Sequence, residues 1–266
     1  MIIIHPLIDP VIVSFGFFQI RWYGLAYVAG LFLGLIIIKK LNAKLVNPLQ
    51  DKLIDNFFIW CALGVIFGGR LGYILFYQTA YLYNQPIKIF YMWEGGMSFH
   101  GGLIGVIIST YLFAKKNKVK FLLLSDFVST VAPIGIFFGR IANFINVELY
   151  GRVTSFPLAM KFLTIDEQRR HLSQIYEAFF EGIIIFIFLI SITKITILKN
   201  KVGLNTSFFL ILYGFFRFLL EFLREPDSHI GLIFHYFTTG QLLCIPMIII
   251  GIIINYQIIQ NGKHKK

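Results

Sequence analysis

Cysteine is scarce in this sequence, and the two cysteines present exclude several kinds of site. Cys61 and Cys244 both lie inside long apolar stretches, and neither belongs to a Cys-x-x-Cys pair or to a cluster of cysteine and histidine. A disulfide framework and a cysteine-based metal site are therefore not indicated. We interpret both cysteines as small core residues, and nothing in the sequence implies a metal or a cofactor.

Charged residues are also scarce. They make up 14% of the chain, whereas soluble domains contain about 25%. Apolar residues make up 57%, and several apolar runs approach or exceed the roughly 18 residues that cross a bilayer as a helix. This composition excludes an ordinary soluble domain and predicts a membrane protein.

The apolar runs predict one all-α domain over residues 1–266, a polytopic membrane bundle of about seven helices. No basic segment precedes the first run and no small-residue cleavage site follows it, so we expect a retained span and not a signal peptide. The loops between spans are short, except for residues 147–174, which we predict to form an external arm. The predicted spans are Phe15–Ile38, Asn56–Tyr77, Ser98–Ala114, Leu122–Asn143, Tyr176–Leu198, Ser207–Leu223 and Phe237–Ile259.

The basic residues predict the orientation of the bundle. Alternate connecting segments are rich in lysine, and the positive-inside rule places these segments in the cytoplasm. The N-terminus is then external and the C-terminus cytoplasmic. Topology and anionic lipid explain the net charge of +11, so no nucleic acid partner is needed. The lysine-rich set is Lys39, Lys40, Lys44, Lys52, Lys115, Lys116, Lys118, Lys120, Lys194, Lys199, Lys201, Lys263, Lys265 and Lys266.

Small residues recur every four positions in three of the predicted spans. We interpret these stripes as packing surfaces, because small residues let helices approach closely in lipid. The stripes are Ala26, Gly30 and Gly34, then Gly64, Gly68 and Gly72, then Gly101 and Gly105.

The stretch "YGFFRFLLEFLREPD" places several polar side chains on one helical stripe. Tyr213, Arg217, Glu221 and Arg224 follow one another at spacings of four, four and three residues. Arg217 and Glu221 can form an ion pair within the helix. A charged side chain in a membrane is expensive and usually functional, although a structural ion pair that joins two helices is the alternative.

The stretch "GRIANFINVELYG" brings a guanidinium, two amides and a carboxylate together where the fourth span ends. Arg140 and Asn143 are one helical turn apart, and Asn146 and Glu148 follow. Arginine binds phosphate bidentately, and asparagine and glutamate bind hydroxyl groups. The set suits a ligand with a phosphate and a polyol, although the last residues could simply finish the helix and its loop.

The stretch "EGGMSFHGGLIG" places His100 at the external start of the third span, among Gly95, Gly96, Gly101 and Gly102. Imidazole titrates near neutral pH, which favours a role in proton transfer, while a lone histidine can also be structural. We predict that these three polar stretches lie on the same external side of the membrane, and this convergence favours a site.

The remaining polar residues in the spans are less informative. Arg70 could bind a lipid phosphate or lock two helices together, and Tyr23 could be an interfacial anchor or reach the site. For Asp126, Glu177 and Glu181 a structural role is favoured, because they lie near predicted helix ends.

With these residues in view, the chain resembles the prolipoprotein diacylglyceryl transferase family nearly end to end. The motifs occur in the order of the family, and "GRIANFINVELYG" resembles its signature. Two departures concern the arm and His171: the family usually has proline where this chain has Leu172 and glycine where it has Val147. The matching stretches are "RWYGLAYVAG", "GGRLGYILFY", "GGMSFHGGLIG", "GRIANFINVELYG", "HLSQIYEAFFEG", "YGFFRFLLEFLREPD" and "GQLLCIPM".

The resemblance implies an enzyme of the bacterial cytoplasmic membrane. It would transfer the diacylglyceryl group of phosphatidylglycerol to the thiol of the lipobox cysteine in a preprolipoprotein signal peptide, and release glycerol phosphate. His100 is the candidate base, and an arginine-centred mechanism without a general base is the alternative. The site residues implied are Tyr23, His100, Arg140, Asn143, Glu148, Gly151, Tyr213, Arg217 and Glu221.

Two other functions remain open from the residues alone. A transporter or flippase for an anionic lipid would also use arginine and polyol ligands in a helical bundle. A non-catalytic assembly factor would use the ion pairs only to hold helices together.

Overall fold

The structure is a computed structural model that describes residues 3–16, 18–79, 81, 84–91, 96–199, 201–226 and 236–263. The expectations for Gly95, Lys265 and Lys266 lie outside these residues. The chain divides into two compact units, one formed by Met1–Ile37 with Asp126–Lys266 and the other by Ile38–Ser125.

Long helices form most of the described structure. Their bounds follow the apolar runs, because a helix satisfies its backbone polar groups internally and can therefore lie in lipid. The helices are α1 (Trp22–Asn42), α2 (Asp51–Tyr77), α3 (Phe99–Asn117), α4 (Phe121–Ile145), α5 (Ser173–Ile192), α6 (Leu204–Leu220) and α7 (Thr239–Lys263).

Within the described residues, six helices are long and apolar enough to cross a membrane. The polytopic helical bundle is therefore confirmed, whereas the count of seven spans stays a prediction. The predicted span that falls outside the six is α3. It carries His100 in its first turn and Lys115 and Lys116 in its last, and these polar residues lower its mean hydropathy.

The predicted start of the first span was wrong. Phe15 ends a strand, β2 (Val11–Phe15), which pairs antiparallel with β3 (Phe18–Arg21), and α1 begins only at Trp22. Gly16 has a φ of 61° in the turn between the two strands, a conformation that glycine adopts without steric strain. Because most of this segment is apolar, its sequence did not distinguish a hairpin from the start of a membrane span.

Small-residue packing is confirmed in the second unit. A Cβ added to Gly72 would lie 2.6 Å from the Cα of Gly101, and one added to Gly64 would lie 2.7 Å from the carbonyl oxygen of Gly105. No side chain larger than hydrogen fits at such distances. The glycine stripes of α2 and α3 therefore allow the backbones of the two helices to pack directly against each other.

The structure gives Arg70 a structural role within the second unit. Its side chain is buried, and its guanidinium donates to the carbonyl oxygens of Lys88, Ile89 and Gly96 at 2.6, 3.3 and 3.4 Å. These carbonyls belong to the segment between α2 and α3. Arg70 thus holds the segment between α2 and α3 in place by donating hydrogen bonds to its backbone carbonyls. This favours a structural role for Arg70 over binding of a lipid phosphate.

A buried polar network joins α4 to the start of α6 in the first unit. One Asp126 carboxylate oxygen accepts from the backbone N–H of Gly203 at 2.5 Å, and the other accepts from the N–H and hydroxyl of Thr206 at 2.8 Å. Asn205 donates to the Thr130 hydroxyl at 2.8 Å. The carboxylate satisfies orphan N–H groups at a helix N-terminus. Asp126 therefore has the structural role that the sequence favoured.

Residues between α4 and α5 form an ordered arm. Strand β4 (Met160–Lys161) pairs in parallel with β1 (Ile3–Ile4) and antiparallel with β5 (Arg169–Arg170). The buried His5 ring contacts the carbonyl oxygen of Phe144 at 3.0 Å. The N-terminal strand thus ties the arm to the end of α4, where the candidate site begins.

We expect the substitution Val147→Gly to stabilise the protein. Val147 has a φ of 58°, and the left-handed region is a steric outlier for a β-branched residue. Such strain costs about 1–3 kcal/mol. Glycine loses more chain entropy on folding, so we expect a net gain of about 1 kcal/mol, measured as a higher thermal unfolding midpoint in detergent.

Leu149 offers the matched control for this prediction. It also has a positive φ, of 55°, but leucine is not branched at Cβ and therefore has less steric strain in this conformation. The substitution Leu149→Gly should therefore gain less than Val147→Gly. An equal or larger gain from Leu149→Gly would contradict the explanation by β-branching.

Candidate functional site

Two arginines from different helices of the first unit share one carboxylate. Arg140 lies near the end of α4, Arg217 near the end of α6, and Glu177 in the first turns of α5. Arg140 Nε lies 2.9 Å from Glu177 Oε2, and Arg217 Nη1 lies 2.5 Å from Glu177 Oε1. The Glu177 side chain is fully buried. The two guanidinium groups are therefore close enough to contact one small ligand.

A second buried carboxylate, Glu181, faces the same two arginines. Glu181 Oε2 lies 3.4 Å from Arg140 Nη2, and Oε1 lies 3.9 Å from Arg217 Nη1. Residues Ala178–Ile184 form a π-helical stretch inside α5. π-Helical turns often mark functional sites. Glu181 follows Glu177 by four residues on α5, and both carboxylates face the same two arginines.

A third carboxylate, Glu221, completes what we call the ion-pair cluster. Arg217 Nη2 lies 2.6 Å from Glu221 Oε2, which confirms the pair that the sequence predicted, and Arg224 Nη1 lies 3.9 Å from the same oxygen. The Thr238 hydroxyl donates to Glu221 Oε1 at 2.9 Å. The cluster is defined by Arg140, Arg217, Arg224, Glu177, Glu181 and Glu221.

The residues that follow α4 include another carboxylate, that of Glu148, outside the ion-pair cluster. Asn143 and Asn146 donate to the two oxygens of Glu148 at 3.0 and 3.2 Å. Gln174 of α5 donates to the Glu148 carbonyl at 2.6 Å. The predicted proximity of these polar residues is confirmed. Because both amides point at one carboxylate, Glu148 is held in place and still able to accept hydrogen bonds.

A cavity of about 440 Å³ lies beside this carboxylate. Tyr23 contributes to its lining and packs edge-on against Tyr27, with ring centroids 5.2 Å apart. The structure thus brings Tyr23 to the same place as Glu148, while Arg140 and Arg217 do not line the cavity. Its lining residues are Gln19, Arg21, Tyr23, Gly24, Asn146 and Glu148.

The backbone of Gly151 lies close to that of His171 and to that of Arg224. Its N–H donates to the carbonyl oxygen of His171 at 3.2 Å, and it forms an isolated antiparallel bridge with Arg224. A Cβ added here would collide with His171. Close backbone packing therefore requires glycine at this position, and the predicted contact of Gly151 with lipid stays a prediction.

Ion pairs fix the arm next to Gly151. Arg170 Nη2 donates to Asp166 Oδ2 at 2.5 Å, and Arg170 Nη1 donates to Glu225 Oε2 and to the Gly151 carbonyl at 3.0 and 3.1 Å. The hydrogen bonds from Arg170 lower the pKa of Asp166, and the same bonds raise the pKa of Arg170. Burial lowers the pKa of His171, which favours its neutral form.

Two further predicted site residues, His100 and Tyr213, lie on α3 and α6. His100 lies in the first turn of α3, in the second unit, with an exposed side chain whose ring centroid is 5.7 Å from that of Phe99. Tyr213 is buried in a hydrophobic cluster with Ile185 and Leu189. The role of His100 as a base therefore stays a prediction, and so does the role of Tyr213 as a lipid ligand.

Sequence reasoning missed the importance of Glu177 and Glu181. A structural role was favoured for both, yet their carboxylates lie at the centre of the ion-pair cluster. The signal was present in "HLSQIYEAFFEG", which places two carboxylates four residues apart in an apolar helix. Two such charges in a membrane span imply cationic partners on neighbouring helices.

The site offers no obvious place for a metal. Within the part of the chain that the structure describes, no group of three histidine, cysteine, aspartate or glutamate side chains could hold a metal ion. The carboxylates of the cluster instead have guanidinium partners.

Known proteins resemble this chain over most of its length. The model of the family described as prolipoprotein diacylglyceryl transferase matches residues 10–257. Proteins named phosphatidylglycerol–prolipoprotein diacylglyceryl transferase from Rickettsia typhi and Rickettsia bellii are 48% and 46% identical over 249 and 248 residues. The alignments cover 93% of this chain in both cases, and 96% and 94% of the relatives. The protein of that name from Rickettsia canadensis is 47% identical over 248 residues, which are 93% of this chain and 96% of the relative.

Proposed function

The chain belongs to the prolipoprotein diacylglyceryl transferase family, and we propose that it uses the ion-pair cluster to transfer a diacylglyceryl group from phosphatidylglycerol to a cysteine thiol. It is a multi-pass membrane transferase of lipoprotein maturation, and its relatives are named for phosphatidylglycerol and prolipoprotein. The finer statements, namely the lipobox cysteine as acceptor and glycerol phosphate as product, are part of the proposal.

One observation carries this proposal. Arg140 and Arg217, from two separate helices, meet on the same buried carboxylate inside an apolar bundle. Arginine binds phosphate oxygens bidentately. Because charged side chains are costly within a membrane, such a group of them usually has a function. A phospholipid phosphate is the anion that a bilayer supplies in quantity.

The chemistry of the transfer suits these residues. The thiol sulfur forms a bond to the glycerol carbon next to the phosphate, the C–O bond to phosphate breaks, and the thiol loses its proton. Negative charge grows on the leaving phosphate, and guanidinium groups stabilise it. We propose that Arg140 binds the phosphate and that Arg217, oriented by Glu221, activates the C–O bond.

The headgroup and the proton involve other residues. We propose that Asn143 and Glu148 bind the hydroxyl groups of the headgroup glycerol, and that Gly151 and Tyr213 complete the lipid site. Tyr23 is proposed as a catalytic residue beside His100, Arg217 and Glu221. A free thiol has a pKa of about 8.5 and must lose its proton to attack. His100 is our proposed base.

The location of the reaction follows from the same proposal. We place the protein in the bacterial cytoplasmic membrane, with the N-terminus outside and the C-terminus in the cytoplasm, because the lysine-rich segments alternate along the chain. Residues 1–266 then act as one integral membrane domain whose arm, residues 147–174, is external.

A reconstituted reaction tests the function. The protein in phosphatidylglycerol vesicles should add one diacylglyceryl group to a synthetic lipobox peptide, detected by mass spectrometry, and release glycerol phosphate. Phosphatidylethanolamine vesicles and a peptide with serine in place of the cysteine are the controls. Absence of a thioether product would overturn the proposal, and lipid movement between leaflets without product would favour the transporter.

A further inference from the structure

The ion-pair cluster contains three guanidinium groups and three carboxylates among the described residues. When all six are ionised, the cluster carries no net charge. A phosphate that enters it therefore finds no vacant cation, because every arginine already has a carboxylate partner. An anion that binds Arg140 and Arg217 therefore competes with the carboxylates for their N–H groups.

The three carboxylates are not held equally firmly. Glu177 contacts its two arginines at 2.9 and 2.5 Å. Glu221 lies 2.6 Å from Arg217 and also accepts a hydrogen bond from Thr238 at 2.9 Å. Glu181, in contrast, has ion-pair distances of 3.4 and 3.9 Å. Its Oε1 is buried and accepts no hydrogen bond from any described residue, and the same holds for Glu177 Oε2 and Glu221 Oε2, so it is the longer ion-pair distances that distinguish Glu181.

Glu181 also faces the position that a phosphate would need. Its two oxygens lie opposite Arg140 Nη2 and Arg217 Nη1, which belong to the two arginines that we assign to the lipid phosphate. Arg217 Nη1 also contacts Glu177 Oε1 at 2.5 Å. Hydrogen bonds between ionised groups are normally about 2.7–2.9 Å long. Glu181 therefore occupies the anion position without satisfying its donors well.

We propose that Glu181 is a displaceable counter-ion for the phosphate of the lipid and of the product. This inference rests on the proposed function. Without lipid, Glu181 keeps Arg140 and Arg217 in place and balances their charge. When lipid binds, the phosphate takes over these donors while Glu177 and Glu221 continue to hold the two arginines.

The retained charge of Glu181 has a consequence for turnover. The diester of the lipid carries one negative charge, whereas the monoester that leaves carries up to two. A carboxylate beside them repels the product more than the substrate. Glu181 thus weakens the binding of both and speeds product release, so it acts as a positioning residue and not as a catalytic residue.

The substitution Glu181→Gln tests this inference. The KM for phosphatidylglycerol and the inhibition constant of glycerol 3-phosphate should each fall by about tenfold, which corresponds to about 1.4 kcal/mol. The kcat should fall as well, because release becomes slower. A residue with a merely structural role would leave KM unchanged or raise it. Glu181→Met removes the same charge without an amide, and it carries the test if the glutamine variant does not fold.

Two controls separate this effect from general electrostatics. Glu181→Asp keeps the charge and should keep both constants close to those of the unmodified protein. Glu225→Gln removes a carboxylate that follows α6 and pairs with Arg170 of the arm at 3.0 Å, and neither constant should change. Unchanged or higher constants in both neutral Glu181 variants would overturn the inference. Failure of the unmodified protein to transfer lipid would instead overturn the proposed function.

Discussion

Replacing Arg140 with alanine is expected to reduce diacylglyceryl transfer by about 10²–10³-fold, the usual effect of removing one preorganised donor to a developing anion. Arg140 is held by Glu177 at 2.9 Å and is only partly accessible. Its loss removes a guanidinium from the proposed phosphate position. The initial rate of lipobox peptide modification in phosphatidylglycerol vesicles measures the effect.

The single substitution also leaves the cluster with excess negative charge, which by itself can destabilise the bundle. The double variant Arg140→Ala with Glu181→Gln restores neutrality and serves as the control. If Arg140 contacts the phosphate, the double variant should fold and remain inactive. Recovery of transfer in the double variant would mean that Arg140 only balances charge, and the headgroup assignment would then be wrong.

The substitution Glu177→Gln is expected to have the largest effect on stability. Glu177 is fully buried and bridges Arg140 and Arg217, so a neutral amide leaves two buried cations with one firm partner fewer. Breaking a buried ion pair in this way costs about 3–5 kcal/mol. We expect a much lower thermal unfolding midpoint in detergent and loss of transfer, because the two arginines are no longer aligned.

Glu181→Gln is the matched comparison for this prediction. Both carboxylates lie on α5, four residues apart, and both are fully buried. Because Glu181 makes the longer contacts, its substitution should change stability much less than that of Glu177. Equal destabilisation by the two variants would contradict the distinction between a firm bridge and a displaceable counter-ion.

Much of the helical architecture could be predicted from the sequence. The apolar runs located α3, α4, α6 and α7 within about four residues of their observed ends, because the hydrocarbon thickness determines the length of a span. The predicted start of α2 and the predicted end of α5 were less accurate, since α2 begins at Asp51 and α5 ends at Ile192. The start of α1 could not be located in this way. Phe15, Phe18 and Ile20 extend the apolar run in the sequence, yet the turn at Gly16 places them in a hairpin.

The site was partly predictable for a related reason. Arg217 and Glu221 are four residues apart on one helix, so their contact at 2.6 Å follows from local geometry. Asn143, Asn146 and Glu148 are neighbours in the chain, and their hydrogen bonds are also local. In contrast, Glu177 is distant in sequence from both of its arginines, and no local rule indicates them.

The sequence alone determined that this protein is a polytopic helical membrane protein and that its arginines and amides cluster near helix ends. These properties depend on hydrophobicity and on spacing within single helices, which the order of residues specifies directly. Only the tertiary structure decided that Glu177 joins Arg140 to Arg217, and that Glu181, in a π-helical stretch, faces the same two arginines. Contacts between helices depend on which faces pack together and at what rotation, and these are set by the packing of the whole bundle.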